Sequence, residues 1–249
     1  DAAQKLIDSG HAYWCNCSKE MLDEMRKEQE AAGKKPMYDG RSRNLGLKQS
    51  ENTVLRLATP EEGEITVNDL IRGEVRFQNS ELDDLILLRS DGTPTYHLCN
   101  VVDDYEQQVT TVIRGEDHLT NTVKQLLVYQ ALNWVTPEFA HVPLIHNERG
   151  EKLSKRDGKS SLLDFKQEGF LPDAMLNYLA RLGWSYKDEE FFNLNQAISW
   201  FTLDGIGKSP SRFDIKKLLN ISKKHLISKP EDEIHRSLLQ YIKIYKDIN

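Results

Sequence analysis

The first ninety residues carry short apolar runs separated by turn-forming residues. The opening segment has the pattern of the last turns of a helix and ends at Gly10, and Ser18 can cap a second helix that ends near Gly33. Four runs have the residue types of β-strands: TVLRLA (53–58), ITV (65–67), EVRF (74–77) and LILL (85–88). This pattern predicts a small mixed α/β unit with antiparallel strands.

Beyond Pro94 the pattern changes to longer elements. It predicts a helix over 96–105, a buried strand over 109–113, an amphipathic helix over 120–132 capped by Thr120 or Asn121, and a strand over 140–145. A strand, a helix and a strand in succession form one crossover of a parallel sheet. This is half of a doubly wound nucleotide-binding sheet, which has strands on both sides of a switch point.

The last third of the chain is predicted to be helical. The expected elements are two helices around Pro172, the second with Ala174, Leu176, Leu179 and Leu182 as its apolar face, then helices over 194–201, from Ser209 to Leu219, and over 231–245.

The composition is that of a globular protein. The 249 residues are 39% hydrophobic and 29% charged, which excludes a disordered chain. No run approaches the roughly 18 apolar residues of a membrane span, so no membrane association is expected. The three cysteines are an odd number, and two of them stand close together as Cys15 and Cys17, which favours a reducing, cytoplasmic location over a disulfide framework.

Charge is segregated along the chain, although the net charge is −6. Residues 79–106 hold seven carboxylates and one arginine, whereas residues 207–229 hold seven lysines or arginines and one aspartate. Two solvated faces would explain this pattern, and so would a basic surface that meets phosphates.

A basic loop, KLSKR (Lys152 to Arg156), follows the strand predicted at 140–145. Two lysines three residues apart on a flexible loop can bring ammonium groups to a polyphosphate. A solvated basic loop would have the same composition, so spacing alone leaves both interpretations open.

Two further groups of polar residues could form a ligand site. In a helix over 96–105, Tyr96 and Asn100 share one face, and Arg114 follows a predicted strand, where α/β sheets place ligand residues. An arginine there suits a carboxylate ligand, although it could instead pair with Asp103 or Asp104. Asp117 and His118 precede a helix, whose N-terminal N–H groups can hold an anion, but His118 could equally be a surface or capping residue.

Taken together, these stretches resemble glutamyl-tRNA synthetase, a class I aminoacyl-tRNA synthetase. The resemblance covers nearly the whole chain through the blocks YDGRSRN (38–44), LLRSDGTPTYHLCNVVDD (87–104), VIRGEDHL (112–119), HVPLIHNERGEKLSKRDG (141–158), EGFLPDAMLNYLARLGW (168–184) and SPSRFDIKKL (209–218). KLSKR is similar to the Lys-Met-Ser-Lys-Ser loop of class I enzymes.

The resemblance implies a reaction and its substrates. Glutamate and ATP, with Mg²⁺, would form glutamyl-adenylate, and the glutamyl group would pass to the 3′ end of tRNA-Glu. Lys152 and Lys155 would be the catalytic residues. The ATP site would comprise Lys152, Leu153, Ser154, Lys155, Arg156, Asp117, His118 and Ile145, and the glutamate site Tyr96, His97, Leu98, Cys99, Asn100 and Arg114.

The resemblance also implies a domain organisation within an α/β fold. It assigns a mixed α/β acceptor-end-binding insertion (1–94), the second half of a Rossmann-type catalytic domain (95–155), a helical stem-contact fold (156–225) and the start of an anticodon-binding helical domain (226–249). A monomer is expected.

The chain departs from the family in two respects. The His-Ile-Gly-His motif is absent, so we expect a fragment that does not activate glutamate alone. Some members bind zinc through Cys-x-Cys and a later Cys-x-His, but here Ser42 and Asn44 follow Cys15 and Cys17, so we predict no structural zinc. A glutaminyl-tRNA synthetase-like relative and a non-catalytic tRNA-binding or assembly module remain the alternatives.

Overall fold

A computed structural model describes residues 1–153 and 161–245. The chain divides into two compact units, Asp1–His141 and Val142–Asn249. No helix in the described ranges is both long enough and apolar enough to cross a membrane.

The first unit is a mixed α/β structure. Its elements are α1 (Ala2–Asp8), β1 (Ala12–Cys15), α2 (Lys19–Ala31), β2 (Val54–Leu57), β3 (Glu64–Asp69), β4 (Gly73–Gln78), β5 (Ile86–Leu88), α3 (Tyr96–Glu106), β6 (Thr111–Gly115), α4 (Leu119–Leu132) and β7 (Glu138–Val142). One sheet has the order β1-β2-β5 with antiparallel pairing, and the other has the order β4-β3-β7-β6. Since β3 pairs antiparallel with β4 and parallel with β7, the second sheet is mixed, and the predicted α/β fold class is confirmed.

A single apolar cluster joins both sheets of this unit to α1, α3 and α4. Leu6, Leu55, Leu87, Val101 and Val123 in this cluster are all fully buried. Burying each such side chain contributes about 1.5–3 kcal/mol. The core therefore fixes α3 and α4, whose polar residues form the site described below.

The predicted strand over 109–113 is displaced and is not buried. Gln108 adopts a left-handed φ of 56° and the Val109 N–H donates to the Asp104 carbonyl, so the turn after α3 takes up the first predicted strand residues. β6 is at one edge of the four-stranded sheet, and 53% of Ile113 is exposed. The helix cap was also wrong, because the N-cap of α4 is His118.

The predicted strand over 140–145 is two strands. β7 ends at Val142, and the second unit begins its own short strand, β8 (Ile145–His146). Pro143 lies between them and cannot donate a backbone hydrogen bond to a sheet, which explains the break.

The second unit is mainly helical. It continues with α5 (Leu162–Gln167), α6 (Pro172–Arg181), α7 (Leu194–Trp200), β9 (Ser211–Arg212), α8 (Ile215–Ile227) and α9 (Glu231–Tyr245), and β8 pairs parallel with β9. Its core includes Phe165, Ala174, Tyr178, Leu218 and Ile221.

Two predictions in this unit were wrong. Ala174 and Tyr178 on α6 and Leu182 at its C-cap are buried at the helical spacing of four, which leaves Leu176 and Leu179 exposed. The basic helix does not start at Ser209, because Ser211 and Arg212 pair with β8; Asp214 caps α8 instead, accepting from the N–H groups of the next two lysines.

Candidate active site

Arg114 lies near the end of β6, and neutral acceptors hold its guanidinium. Its Nη2 donates to Thr122 Oγ1 at 2.6 Å and to Gln125 Oε1 at 2.7 Å, and its Nε approaches His141 Nε2 at 3.3 Å. Thr122 and Gln125 are on the buried face of α4, and His141 is in β7. Three elements of one unit therefore converge on this side chain.

No carboxylate lies within ion-pair distance of Arg114 in the described part of the chain, although Asp104 acts on its charge at longer range. It forms no ion pair there, so the alternative in which it pairs with Asp103 or Asp104 is not found. Burial lowers the pKa of Arg114, while Tyr96 and Asp104 raise it by a smaller amount. An arginine stays protonated nevertheless, so this half-buried cation is suited to an anionic ligand.

Asp69 and His141 extend the cluster around Arg114. Asp69 ends β3, and its carboxylate accepts from His141 Nδ1 at 2.6 Å. His141 Nε2 lies 2.9 Å from the Thr122 hydroxyl. Because burial lowers the pKa of His141 despite the opposing effect of Asp69, the ring is neutral at neutral pH and this contact is a hydrogen bond between a carboxylate and a neutral ring.

The residues predicted on α3 have different environments. Asn100 accepts from Gln125 and so joins the Arg114 cluster. Tyr96 is 49% exposed, its ring makes an edge contact with His97, and it contributes to the pKa of Arg114. Burial and the cations Lys124 and Arg114 lower the pKa of His97 to about 4. Leu98 lies in the hydrophobic core, and Cys99 is a half-buried free thiol.

The residues predicted at the ATP site lie in both units. Asp117 and His118 are in a 3-10 turn before α4, where His118 Nδ1 contacts Asn121 Nδ2 at 3.1 Å. In the second unit Ile145 is in β8, and its carbonyl accepts from the Leu153 N–H at 2.9 Å. The backbone of Lys152 pairs with that of His146 in an isolated antiparallel β-bridge. Ser154, Lys155 and Arg156 lie outside the described residues.

The cysteine pair of the first unit meets only part of a metal-ligand set. Cys17 Sγ lies 3.6 Å from Ser42 Oγ. Ser42, which stands where zinc-binding members have the cysteine of the later Cys-x-His pair, is therefore next to Cys17 but supplies a hydroxyl. Burial raises the pKa of the Cys15 thiol, but hydrogen bonds from Tyr38, Ser42 and Arg56 outweigh it and lower the pKa to about 7. Residues 1–153 and 161–245 contain no cluster of three or more His, Cys, Asp or Glu side chains able to hold a metal.

The family model described as "tRNA synthetases class I (E and Q), catalytic domain" matches residues 1–220. The chain belongs to this family. It is 47% identical over 238 residues to the glutamate–tRNA ligase of Lawsonia intracellularis, covering 96% of this chain and 51% of that protein. It is 50% identical over 236 residues to glutamate–tRNA ligase 2 of Parvibaculum lavamentivorans, covering 94% of this chain and 48% of that protein.

Solved structures give the same relationship. The crystal structure of a glutamate tRNA ligase from Elizabethkingia meningosepticum, in complex with its amino acid, is 30% identical with a TM-score of 0.85, covering 99% of this chain and 56% of that chain. That of glutamate-tRNA synthetase from Elizabethkingia anophelis is 31% identical with a TM-score of 0.83, covering 96% and 55%. The chain thus spans about half the length of the relatives that it matches.

The basic segment of this synthetase-family chain is only partly neutralised. On α8, Lys217 pairs with Glu190 at 3.2 Å, whereas Lys216, Lys223 and Lys224 are exposed. Lys229, beyond the helix, pairs with Asp173 at 3.2 Å. The exposed lysines of α8 are suited to phosphate contacts, which fix position without reading sequence.

Four residues of the Arg114 cluster were not predicted: Asp69, Thr122, Gln125 and His141. Thr122 and Gln125 are three residues apart on a helix whose other buried residues are mostly apolar, and this polar pair on the inner face was a usable signal. Asp69 and His141 come together through the pairing of β3 with β7, across 72 residues of sequence, which no local pattern shows.

Proposed function

We propose that the protein to which this chain belongs is a glutamate–tRNA ligase. It would activate glutamate with ATP and Mg²⁺ and transfer the glutamyl group to tRNA-Glu. The family membership and the names of the relatives support this proposal.

The arrangement around Arg114 is the single observation that carries the proposal. Glutamate differs from glutamine by one charge at the end of its side chain. A half-buried guanidinium fixed by three neutral acceptors at Nε and Nη2 keeps its positive charge for a ligand carboxylate, which the N–H groups of Nη1 can contact. Such a site discriminates charge much better than an apolar pocket discriminates a methylene. Arg114 therefore binds the glutamate side chain, with Tyr96 and Asn100 beside it.

The activation step transfers an adenylyl group. An oxygen of the glutamate α-carboxylate attacks the α-phosphorus of ATP, and the bond to the bridging oxygen breaks to release pyrophosphate. Negative charge grows on the departing phosphates. Lys155, assisted by Lys152 and Arg156, stabilises that charge, while Asp117, His118 and Ile145 contact the adenosine portion. These roles follow from the family resemblance.

The rest of the chain would contact tRNA. Residues 1–94 would bind the acceptor end, 95–155 complete the catalytic domain, 156–225 contact the stem and 226–249 begin the anticodon-binding domain. The exposed lysines of α8 would neutralise tRNA phosphates. The protein would act as a cytoplasmic monomer.

Arg114 also separates the alternatives. A glutaminyl-tRNA synthetase-like relative has no use for an unbalanced cation at the amino-acid side chain. A non-catalytic tRNA-binding or assembly module needs no such site, and we expect this chain alone to be inactive.

Glutamate-dependent exchange of pyrophosphate into ATP tests the proposal. It should be measured on the 249-residue chain and on a form extended at its N-terminus. Exchange by the extended form alone supports the proposal. Exchange by neither form would favour the tRNA-binding module, and exchange with glutamine in preference to glutamate would favour the glutamine-specific relative.

A further inference from the structure

We propose that Asp69 and His141 together are a positioning device for Arg114. In this arrangement Asp69 holds His141 in the tautomer that carries its hydrogen on Nδ1, and the bare Nε2 then orients the guanidinium toward the glutamate side chain. This inference rests on the proposed function, because it gives these two buried residues a part in glutamate selection.

Hydrogen bonds keep the buried carboxylate of Asp69 negatively charged. Its Oδ1 accepts from the N–H groups of Ile71 at 3.0 Å and Arg72 at 2.8 Å, and its Oδ2 accepts from the N–H of His141 at 3.0 Å. Burial raises the pKa of Asp69, but hydrogen bonds from Arg72 and His141 outweigh it and hold the pKa below its usual range. The carboxylate is therefore ionised and can only accept.

His141 carries its hydrogen on Nδ1. Its Nδ1 lies 2.6 Å from Asp69 Oδ2, and an acceptor-only carboxylate requires Nδ1 to carry the hydrogen. Because the ring is neutral, Nε2 is then a bare acceptor. It faces the N–H of Arg114 Nε at 3.3 Å and the hydroxyl of Thr122 at 2.9 Å. The opposite tautomer would point an N–H at the N–H of Arg114.

The charged groups around His141 come from several elements of the first unit. Asp69 faces it from β3 and Arg114 from β6, and His118 acts on it from the 3-10 turn. Arg72, which pairs with Glu116, donates to the backbone carbonyl of His141 at 3.4 Å. The cations among these groups disfavour a protonated ring, so they favour the neutral acceptor that the arrangement needs.

The orientation of Arg114 has a functional consequence. A charge-assisted contact from Nη1 to a carboxylate needs the guanidinium to be held in a fixed orientation, and a displacement of about an ångström weakens it. The acceptors Thr122 and Gln125 both bind Nη2, so His141 supplies the contact at Nε that stops the group from turning about Nη2.

Three substitutions in the full-length protein test this positioning device through glutamate-dependent pyrophosphate exchange. His141→Leu removes the acceptor and should raise the KM for glutamate about tenfold, with a much smaller change in kcat. His141→Gln keeps an acceptor near the position of Nε2 and should lose far less. Asp69→Asn offers an amide donor to Nδ1, which reverses the tautomer, and should resemble His141→Leu. His11→Leu, at an exposed site of the same unit, is the matched control.

The double variant Asp69→Asn with His141→Gln distinguishes a loss of positioning from a folding defect. A glutamine has no tautomer to set, so the double variant should bind glutamate about as well as His141→Gln alone. If His141→Leu and His141→Gln raise the KM equally, or if the double variant is as weak as Asp69→Asn, the positioning role is wrong. Should Asp69→Asn not fold, the two His141 variants decide the question.

A spectroscopic measurement keeps this inference apart from the proposed function. Ring nitrogen chemical shifts of His141 in the wild-type protein should show a hydrogen on Nδ1 and none on Nε2. The reverse pattern would overturn the positioning role of Asp69 and His141 even in an active ligase. Absence of glutamate-dependent exchange in the full-length wild type would instead overturn the proposed function.

Discussion

Two arginines of the first unit, Arg43 and Arg114, are both half-buried but are held in opposite ways. Arg43 donates to Asp84 at 2.5 and 2.7 Å and to Glu61 at 2.7 Å, so two carboxylates surround it. Arg114 donates to a hydroxyl, an amide oxygen and an imidazole. Hydrogen bonds to Asp84 raise the pKa of Arg43, whereas burial lowers that of Arg114.

This difference separates a structural arginine from one available to a ligand. The charge of Arg43 is already balanced, and the Thr59 carbonyl takes a further N–H at 2.8 Å. Arg43 joins its own loop to the segment that follows β2 and to Asp84, which precedes β5. Arg114 retains an unbalanced charge, which costs folding free energy and is useful only if an anion binds there. Removing the partners of each arginine should therefore have different effects.

The largest effect is expected at the structural arginine. Asp84 is 1% exposed and also accepts from the Tyr13 hydroxyl and the Thr59 N–H. Asp84→Ala should lower the free energy of unfolding by about 3 kcal/mol, because it leaves Arg43 without its main partner. Urea denaturation of the 249-residue chain measures this. The matched control is Asp39→Ala, which removes a more exposed pair with Arg41 and should cost less than about 1 kcal/mol. Equal losses would contradict the structural role.

A smaller effect is expected among the neutral partners of Arg114. Thr122→Val keeps the shape of a fully buried side chain but removes the hydroxyl that accepts from Arg114. The KM for glutamate in the full-length protein should rise at least about tenfold, because a hydrogen bond to a charged group contributes about 1.5–3 kcal/mol.

The control for this prediction is Thr53→Val. Thr53 is also buried, and its hydroxyl donates to the Ser50 carbonyl at 2.9 Å, away from Arg114. It should change stability without changing the KM for glutamate. A rise in KM for both variants would show that any buried hydroxyl has this effect.

No effect is expected from metal removal. Cys15 and Cys17 supply two thiols, and Ser42 supplies a hydroxyl where a thiolate would be needed. Treatment with a strong chelator should leave the unfolding temperature of the chain unchanged, and metal analysis should find far less than one zinc per chain. About one zinc per chain, with destabilisation on removal, would contradict this prediction.

Much of the fold could be predicted because local signals and packing agree. The helix over 231–245 has the predicted bounds, and Ser18 caps α2 through the N–H of Met21 as its residue type indicates. The failures have local causes. Pro143 divides a run of apolar residues, and the pairing of β8 with β9 takes residues that otherwise suit a helix start.

The site was less predictable than the fold. Arg114 was predicted because it follows apolar strand residues, and Asn100 because it lies four residues after Tyr96 on one face of a predicted helix; the structure places both in one hydrogen-bonded cluster. The acceptors that distinguish Arg114 from Arg43 come from distant strands and from the inner face of α4, so local sequence makes the two arginines look alike. The parallel pairing of β3 with β7, which brings Asp69 to His141, depends on the whole unit.

The most direct test of the role of Arg114 is amino-acid discrimination. The KM values for glutamate and for glutamine should be measured in pyrophosphate exchange by the full-length wild type and by Arg114→Gln. We expect the preference for glutamate to fall by about a hundredfold, because a charge-assisted contact is lost, while the weak use of glutamine changes little. A loss of the same factor for both amino acids would contradict the central claim that the unbalanced charge of Arg114 selects glutamate.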